Sequence, residues 1–421
     1  MRLDDYVAEF ERDEDAEIRR LAEQKSYRIL DHLEGFEDRF ENAKQGDALF
    51  GSVSPSVFVG RTGYPDVSVG IMSPVGEEEA DDRDPSDFAT DSGWYRQGLD
   101  IESVLQYRTG LLNSRKYGNV ERPASSRFVD VQREVAMASD PVDVEVALKD
   151  DPEVDVSLDR VRTPTGPNAR AASADLAENP SVPRAVEKAY GDDDWKARGA
   201  VSYLYEKGLD VYDIKRVFSV GALGRGDHRK LVPTRWSITA IDDMVGQHVH
   251  EDVTSRQQIG QTEVHYNEYV GNRYWVILTP GNWEFELVEM KAPGSVWNPD
   301  PGGDYYLGSA HEGFEGRSQY VDETAGAYYA SRLGVLEHLR DRGRQAKALV
   351  LRVADEEYWA PVGVWQIRES VRNAFDDDPG VAETFDDAVT GVLPHLPVDR
   401  DALRRKSTMV TGRQSDLSRF G

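Results

Sequence analysis

The chain has 421 residues, a formal net charge of -27 and no cysteine. Its length is sufficient for two or three domains with cores of their own, and the lack of cysteine excludes disulfides, Cys-ligated zinc and thiol catalysis. Most of the 50 basic residues are arginine, and this acidic, lysine-poor composition is typical of a heavily hydrated surface in a salt-rich cytoplasm.

No apolar run approaches 18 residues, and the first residues are acidic instead of a basic segment followed by an apolar one. The sequence therefore predicts a cytoplasmic protein without a membrane span or a signal peptide. The excess of negative charge also means that any contact with nucleic acid must depend on a local basic patch, because high salt screens long-range attraction to the phosphates.

The first half of the chain is predicted to change from helix to strands. Residues 4–40 are charged with spaced apolar side chains, which indicates a helical or partly ordered segment over 1–45. Further on, period-two patterns and turn residues predict strands at 49–60, 65–72, 128–135 and 142–148. An acidic loop follows the second of these strands at 77–91, and the Pro-, Ala- and Asp-rich residues 160–195 are predicted to be a mixed connection of helix and loop.

The second half is predicted to hold a helix opened by Pro233, then a β-meander, then a mostly helical region. The meander strands are expected near 262–270, 273–279 and 283–291, and helices near 325–339, 364–375 and 381–392 surround one strand at 348–353. A Gly-, Pro- and Asp-rich region at 297–318 marks the main boundary. The predicted fold is α+β, with a large mixed domain over 46–300, a smaller, mostly helical domain over 301–400 and a flexible tail over 401–421.

The most basic stretch lies at 221–236, where three glycines and four Arg or Lys residues are close together. Glycines let backbone N–H groups approach a phosphate, cations neutralise it, and an aromatic ring stacks on a base. The predicted nucleic-acid-binding residues are Arg225, His228, Arg229, Lys230, Arg235 and Trp236. The alternative is a solvated turn whose tryptophan belongs to the core, and whether the ligand is DNA or a nucleotide stays open.

A second candidate site lies at the end of the third predicted meander strand, where Glu289 and Lys291 share a face with apolar residues. A Glu-x-Lys pair there resembles the site of restriction-type nucleases, in which the carboxylate holds Mg²⁺ or Mn²⁺ and the lysine positions water. Glu263 is the candidate for the further acid that such a site needs. The favoured interpretation is instead a Glu–Lys ion pair at the rim of a core. His248 and His250 fall at a predicted helix end, where i, i+2 spacing separates them, so no metal site is predicted there.

The C-terminal residues Gln414, Leu417 and Phe420 have the spacing Gln-x-x-aliphatic-x-x-aromatic, which resembles a peptide that binds the sliding clamp PCNA. Gln414 would fill a polar pocket, and the other two side chains would form an apolar plug on one side of a 3₁₀-like turn. Gly421 stands where a second aromatic residue usually follows, which is expected to weaken binding. The basic run at 404–408 is predicted to be an extended tether, and the alternative is a frayed tail without a partner.

Several segments together resemble the archaeal Nre DNA-repair family over nearly the whole chain. The resemblance is carried by the terminal peptide and by Phe50–Gly60 (FGSVSPSVFVG), Gly93–Tyr95 (GWY), His228–Ser237 (HRKLVPTRWS) and Gly316–Tyr320 (GRSQY). It implies a haloarchaeal-type member with a large N-terminal and a smaller C-terminal part, acting in DNA-damage repair through PCNA. Some family members carry a Cys-rich, zinc-type segment, which this chain lacks, so no zinc is predicted.

The sequence therefore favours a DNA-repair factor that is recruited to PCNA and contacts DNA through residues 221–236. Two alternatives are kept, a metal-dependent nuclease around Glu289 and Lys291 and a non-catalytic adaptor without a DNA site. Whether the protein is an enzyme, and whether Mg²⁺ or Mn²⁺ is a cofactor, stays open at this point.

Overall fold

The computed structural model describes residues 40, 44–45, 48–75, 84–123, 126–153, 165–295, 297–298, 300, 302–321 and 323–412. These residues form two compact units, a first unit that extends to Val245 and a second unit from Gly246 onward. In the described part of the chain, no helix is both long and apolar enough to cross a lipid bilayer. The segment predicted over 1–45 lies almost wholly outside the described residues.

The first unit is built around one sheet. In its described residues, seven strands pair in the order β1-β2-β6-β7-β5-β4-β3. Their bounds are β1 Lys44–Gln45, β2 Ala48–Val53, β3 Val57–Val59, β4 Asp66–Pro74, β5 Leu111–Asn119, β6 Val142–Leu148 and β7 Asn168–Leu176. Neighbouring strands are antiparallel except β5 and β7, which are parallel. Strand β4 forms as its pattern predicts, because the alternating Val67, Val69 and Ile71 all face the core and are fully buried.

Among the described residues of the first unit, the α-helices of four or more residues are α1 Gly93–Arg96, α2 Ile101–Thr109, α3 Arg127–Met137, α4 Arg184–Gly191, α5 Ala197–Glu206, α6 Val211–Ser219 and the first part of α7 Thr234–Val253. Acidic side chains cap two of these helices. The Asp100 carboxylate accepts a 2.8 Å hydrogen bond from the Ser103 amide at the start of α2, and Asp210 accepts one from the Tyr212 amide at the start of α6. Helix α7 begins directly after Pro233, as the sequence predicts.

The prediction of a strand at 128–135 is wrong, because these residues form α3. The buried side chains of α3 include Phe128, Val131 and Val135, whose spacing of three and four fits one face of a helix. Gln132 lies among them and donates hydrogen bonds to two strand carbonyls at 2.8 and 2.9 Å. Helical periodicity thus outweighs the strand preference of the β-branched residues in this segment.

The connection predicted as helix and loop over 160–195 contains a full strand, β7, in addition to α4. Strand β7 is hard to recognise in the sequence because its buried residues are small, namely Ala169, Ala171 and Ala174. It lies between β6 and β5, so it joins the two halves of the sheet.

In the second unit, six strands of the described chain form a sheet in the order β12-β11-β14-β10-β9-β15. Their bounds are β9 Thr262–Tyr269, β10 Asn272–Thr279, β11 Glu284–Lys291, β12 Tyr306–Glu312, β14 Lys347–Ala354 and β15 Gly380–Ala382, and β8 Gln257–Gln258 pairs separately with β13 Arg344–Gln345. The three predicted meander strands form, but β14 lies between β10 and β11 and pairs in parallel with β11. The predicted meander is therefore interrupted, because a long crossover returns β14 in the parallel direction.

Helices cover both faces of this second sheet. They are α8 Ala325–Asp341, α9 Trp365–Asn373, α10 Phe385–Val392, α11 Arg400–Lys406 and α12 Thr408–Thr411. On one face, Phe285 of β11 packs against Tyr328 of α8 with ring centroids 5.2 Å apart. On the other face, Val389 of α10 and Leu403 of α11 share a core with sheet residues. The α+β fold class is confirmed.

The predicted boundary near residue 300 falls inside the second unit. Strand β11 precedes that position and pairs with β12 and β14, which follow it, while the compact units divide at residue 246. The region 301–400 holds strands as well as helices. The helix predicted from 381 begins at Phe385 instead, because Val381 belongs to β15.

Candidate functional site

The basic stretch 221–236 connects α6 to α7 within the first unit. The Leu231 amide donates a 3.1 Å hydrogen bond to the Val120 carbonyl, which holds the stretch beside the end of β5. At Gly221 the φ angle is +70°, and a Cβ atom would lie 2.8 Å from the Lys230 carbonyl oxygen. Only glycine fits this turn without strain, so at least one of the three glycines serves the fold of the loop.

Arg229 makes its contacts inside this loop. Its guanidinium donates to the carbonyls of Gly224 and Asp192 at 2.9 and 3.0 Å, and it lies 3.3 Å from a carboxylate oxygen of Asp193. It also stands over the Tyr190 ring, 5.1 Å from the centroid. Only 12% of the Arg229 side chain is exposed. Arg229 therefore stabilises the loop, and it differs in this from the exposed cations of the same predicted set.

The other predicted nucleic-acid-binding residues are exposed at the surface, namely Arg225, His228, Lys230, Arg235 and Trp236. Nζ of Lys230 lies 3.2 Å from Oε1 of Glu121, and about half of each side chain is in contact with solvent. An exposed pair of this kind contributes little to stability. The lysine can therefore exchange its carboxylate partner for a phosphate at small cost.

Trp236 is not a core residue, because 49% of it is exposed, and it lies beside Tyr64, which is 51% exposed. The two ring centroids are 6.3 Å apart and the ring planes are tilted by 42°. The Val59 amide donates a 2.9 Å hydrogen bond to Oγ1 of Thr234, which joins the end of β3 to the first turn of α7 and brings the rings together. Sequence reasoning missed Tyr64, whose one signal is an aromatic residue in a Gly- and Pro-containing turn.

The second candidate site is a buried ion network. Glu289 is 3% exposed, and its carboxylate accepts a hydrogen bond from Arg352, the residue opposite it on β14. Nζ of Lys291 lies 3.4 Å from the second carboxylate oxygen. Burial alone would raise the pKa of Glu289, but the charges of Lys291 and Arg352 outweigh it and hold the pKa below its usual value. Both oxygens therefore already have cationic partners, which compete with any metal ion.

Glu263 does not join this network. It lies on β9, and β10 and β14 separate β9 from β11, which corresponds to about 14 Å across the sheet. Its carboxylate is held by Arg342 at 2.5 and 3.1 Å and lies 3.4 Å from Nε2 of His265. Within the described ranges, no three His, Asp or Glu side chains are grouped so that they could hold a metal ion. Glu263 therefore does not lie beside Glu289 and Lys291 as the further acid of a nuclease site.

The predicted clamp-binding residues lie outside the described residues: Gln414, Leu417 and Phe420. The chain just before them is described, and it is not the extended tether expected over 404–408, because these residues belong to α11 and the start of α12. The cause is Glu286, whose buried carboxylate accepts hydrogen bonds from the Ser407 hydroxyl and from the Thr408 and Met409 amides at 2.6, 2.7 and 2.9 Å. The peptide therefore follows an anchored helix.

Comparison with known proteins covers almost the whole chain. The family model described as Archaeal Nre, N-terminal matches residues 21–298, and the one described as Archaeal Nre, C-terminal matches residues 312–420. The first family model ends at residue 298 and the second begins at residue 312.

Named relatives show the same likeness. The chain is 58% identical over 424 residues to the DNA repair protein NreA of Haloferax volcanii, with 100% of both chains covered. It is 38% identical to the DNA repair protein NreA of Archaeoglobus fulgidus, over 87% of this chain and 88% of that one. It is 36% identical to the DNA repair protein NreB of the same organism, over 88% of this chain and 92% of that one. No solved structure matches the chain significantly.

Proposed function

This chain belongs to the archaeal Nre family, and we propose that it is a DNA-repair factor that is recruited to PCNA and contacts DNA. The peptide Gln414–Phe420 is the recruiting element, and the exposed part of residues 225–236 is the DNA-contacting surface. The names of the relatives in Haloferax volcanii and Archaeoglobus fulgidus support the role in DNA repair.

The observation that carries the DNA part is the exposure of Lys230, Arg235 and Trp236 at one edge of the first unit. In a chain of net charge -27, exposed cations next to an exposed indole form a local surface suited to a nucleic acid. Cations of this kind neutralise phosphates and make binding salt-dependent, and the ring offers a face on which a base stacks.

The PCNA part rests on the spacing of Gln414, Leu417 and Phe420. The contacts of Glu286 support it, because they hold α12 on the second sheet and α12 ends at Thr411. Gln414 follows Thr411 by three residues, so the motif begins directly after a helix that is held on the second sheet.

A catalytic role is not assigned to Glu289, Lys291 and Glu263. The Glu289 carboxylate is neutralised by Arg352 and Lys291, and Glu263 is paired with Arg342 on a different part of the sheet. This geometry favours a binding protein over a metal-dependent nuclease.

The proposal is tested with the purified full-length protein at high KCl. We expect it to co-elute with PCNA in size-exclusion chromatography and to raise the fluorescence anisotropy of labelled DNA in a salt-dependent manner. Co-elution without any DNA binding would identify an adaptor. Cleavage of gapped or flapped DNA that needs Mg²⁺ or Mn²⁺ and disappears with EDTA would identify a nuclease and contradict the proposal.

A further inference from the structure

Two aromatic side chains of the first unit, Tyr64 and Trp236, are about half exposed to solvent. Helix α7 buries Ser237, Ile241 and Val245 on its core face, whose spacing of four repeats along one side of the helix. Trp236 lies off this face, and its ring lies beside that of Tyr64, while about half of the surface of each residue is exposed. Two aromatic rings exposed side by side offer a surface that a ligand can cover.

The surroundings of the two rings are more basic than the chain as a whole. The Val120 amide donates a 2.8 Å hydrogen bond to the Pro65 carbonyl, and the Val120 carbonyl accepts one from Leu231. These bonds place the turn that carries Tyr64, the end of β5 and the basic stretch next to one another. The exposed charged residues on these three segments are five cations, Arg61, Arg122, Arg225, Lys230 and Arg235, and three carboxylates, Asp66, Glu121 and Asp227. Cations thus outnumber carboxylates here, in contrast to the net charge of -27.

We propose that Tyr64 and Trp236 form a stacking platform for unpaired bases, so that the DNA bound by this surface is single-stranded or contains an unpaired segment. This inference rests on the proposed function, and it specifies the kind of DNA. In a duplex, both faces of each base are covered by its neighbours, whereas an unpaired base has a free face for an aromatic ring. The 42° tilt between the rings means that they do not cover each other, so each keeps a surface for a base.

The cations beside the platform have a matching role. Arg61 lies in the same turn as Tyr64, and Arg235 precedes Trp236 in the first turn of α7. Since they are the sequence neighbours of the two rings, we expect them to bind the phosphates that connect the stacked bases. This combination of rings and neighbouring cations fits a single strand, which presents bases and phosphates together, better than it fits a neutral partner.

The test compares a labelled single strand with the duplex of the same length by fluorescence anisotropy, using the full-length protein at several KCl concentrations. The variants are Tyr64→Ala and Trp236→Ala, with Tyr64→Phe and Trp236→Phe as ring-preserving counterparts. Tyr266→Ala is the matched control, because Tyr266 is 44% exposed and contacts Trp275 with centroids 5.2 Å apart and a tilt of 48°. Thermal melting checks that each variant is folded.

We expect the wild type to prefer the single strand and each Ala variant to bind it about fivefold to a hundredfold more weakly. The Phe variants and the control should retain most of the affinity. The slope of affinity against salt should stay the same in the Ala variants, because they keep every cation that neutralises a phosphate.

Three results would overturn the platform. Folded Ala variants that bind the single strand like the wild type, while charge variants at Lys230 and Arg235 lose affinity, would leave the proposed DNA contact intact and remove the platform. Equal losses for duplex and single strand would show that unpaired bases are not what the rings bind. Ala variants that no longer bind PCNA but still bind DNA would identify a protein-docking surface. A wild type that binds neither DNA would contradict the proposed function itself.

Discussion

Glu286 and Ser407 are 121 residues apart in the chain, and the Ser407 hydroxyl donates a 2.6 Å hydrogen bond to the Glu286 carboxylate. The amides of Thr408 and Met409 donate to the same carboxylate at 2.7 and 2.9 Å. Burial raises the pKa of Glu286, although these hydrogen bonds oppose the change. Burying a carboxylate in an apolar core costs free energy unless its oxygens accept hydrogen bonds. These hydrogen bonds therefore offset the cost of burying Glu286, and they also hold the last described helix on the sheet.

We predict that Glu286→Ala loosens residues 407–411, because it leaves a buried hydroxyl and two backbone amides without an acceptor. The free energy of unfolding should fall by on the order of 3 kcal/mol. Hydrogen exchange at the amides of Thr408 and Met409 should become faster than in the wild type. The exposed strand residue Glu145, replaced by Ala, serves as the control. Unchanged exchange at 407–411 would show that Glu286 is not the anchor.

The buried pair Glu289 and Arg352 gives a prediction that separates structure from catalysis. Glu289→Ala leaves Arg352 buried with Asn272 as its remaining hydrogen-bond acceptor, and it should lower the free energy of unfolding by about 3–5 kcal/mol. Lys291→Ala should cost less, because Lys291 is closer to solvent than Arg352. Replacing the pair together, with Glu289→Leu and Arg352→Met, should recover much of the loss. Denaturant unfolding measures all four proteins, and a Glu289→Ala protein as stable as the wild type would argue for a functional site.

The pair also shows which part of the site is readable from the sequence. A period of two places Glu289 on an apolar face, so a buried and compensated charge is predictable. That Arg352 is its main partner is not predictable from the sequence, because β11 and β14 pair in parallel across a long crossover. Sequence periodicity carries no information on which strands become neighbours. The interruption of the predicted meander and the missed role of Arg352 have the same cause.

The nucleic-acid surface and the first sheet illustrate the same limit. The clustering of charge identifies the stretch 221–236. It does not show that the Arg229 side chain is buried in contacts that stabilise the loop, whereas Lys230 is exposed. Tyr64 joins Trp236 only through tertiary contacts. Segment 128–135 fits both periods when it is read alone, and the fold selects the helix because one face of it packs on the sheet.

Removing the exposed cations should weaken DNA binding without affecting stability. Lys230→Gln combined with Arg235→Gln is expected to lower affinity and to reduce the slope of log affinity against log salt by about one for each phosphate that is no longer neutralised. The control is Arg170→Gln, an exposed arginine of the same unit that pairs with Asp150. Anisotropy titrations at several KCl concentrations measure both quantities, and an unchanged slope in the double variant would exclude this surface.

Arg229 should behave in the opposite way. Arg229→Gln removes the hydrogen bonds to the Gly224 and Asp192 carbonyls, so we expect a loss of about 1–3 kcal/mol in the free energy of unfolding. The salt slope of DNA binding should be that of the wild type under conditions in which the variant is folded. Denaturant unfolding measures the stability of the variant, and anisotropy measures its salt slope. A variant as stable as the wild type but with a reduced salt slope would show that Arg229 binds a phosphate.

Recruitment to PCNA is predicted to depend on the plug residues of the C-terminal peptide. Phe420→Ala should abolish co-elution with PCNA, because a buried aromatic anchor supplies most of the binding energy of such a short peptide. Ser418→Ala, at a position that the motif leaves unspecified, is the matched control and should bind as the wild type does. Melting temperatures are expected to be equal in all three proteins. A Phe420→Ala protein that still co-elutes would contradict the clamp-binding interpretation.

Glu284 is predicted to make the protein sensitive to acid. Its carboxylate pairs with Nε2 of His311 at 2.9 Å and with Nζ of Lys347 at 2.6 Å. The hydrogen bond from His311 is the largest cause that lowers the pKa of Glu284, to about 2, and Lys347 adds to it against the effect of burial. Because the folded-state pKa lies below the unfolded value, the stabilisation is present above about pH 4.5 and is lost as the pH falls toward 2.

The shift corresponds to on the order of 3 kcal/mol at neutral pH, and Glu284→Gln should remove it. The melting temperature of Glu284→Gln should therefore lie below that of the wild type at pH 7, and the difference should shrink as the pH falls from about 4.5 to 2. Contributions common to both proteins cancel, so the difference between the two curves isolates Glu284. Glu356→Gln, at an exposed position after β14, controls for the loss of one negative charge. Parallel melting curves for the wild type and Glu284→Gln across this range would show that the pairing with His311 and Lys347 does not stabilise the fold.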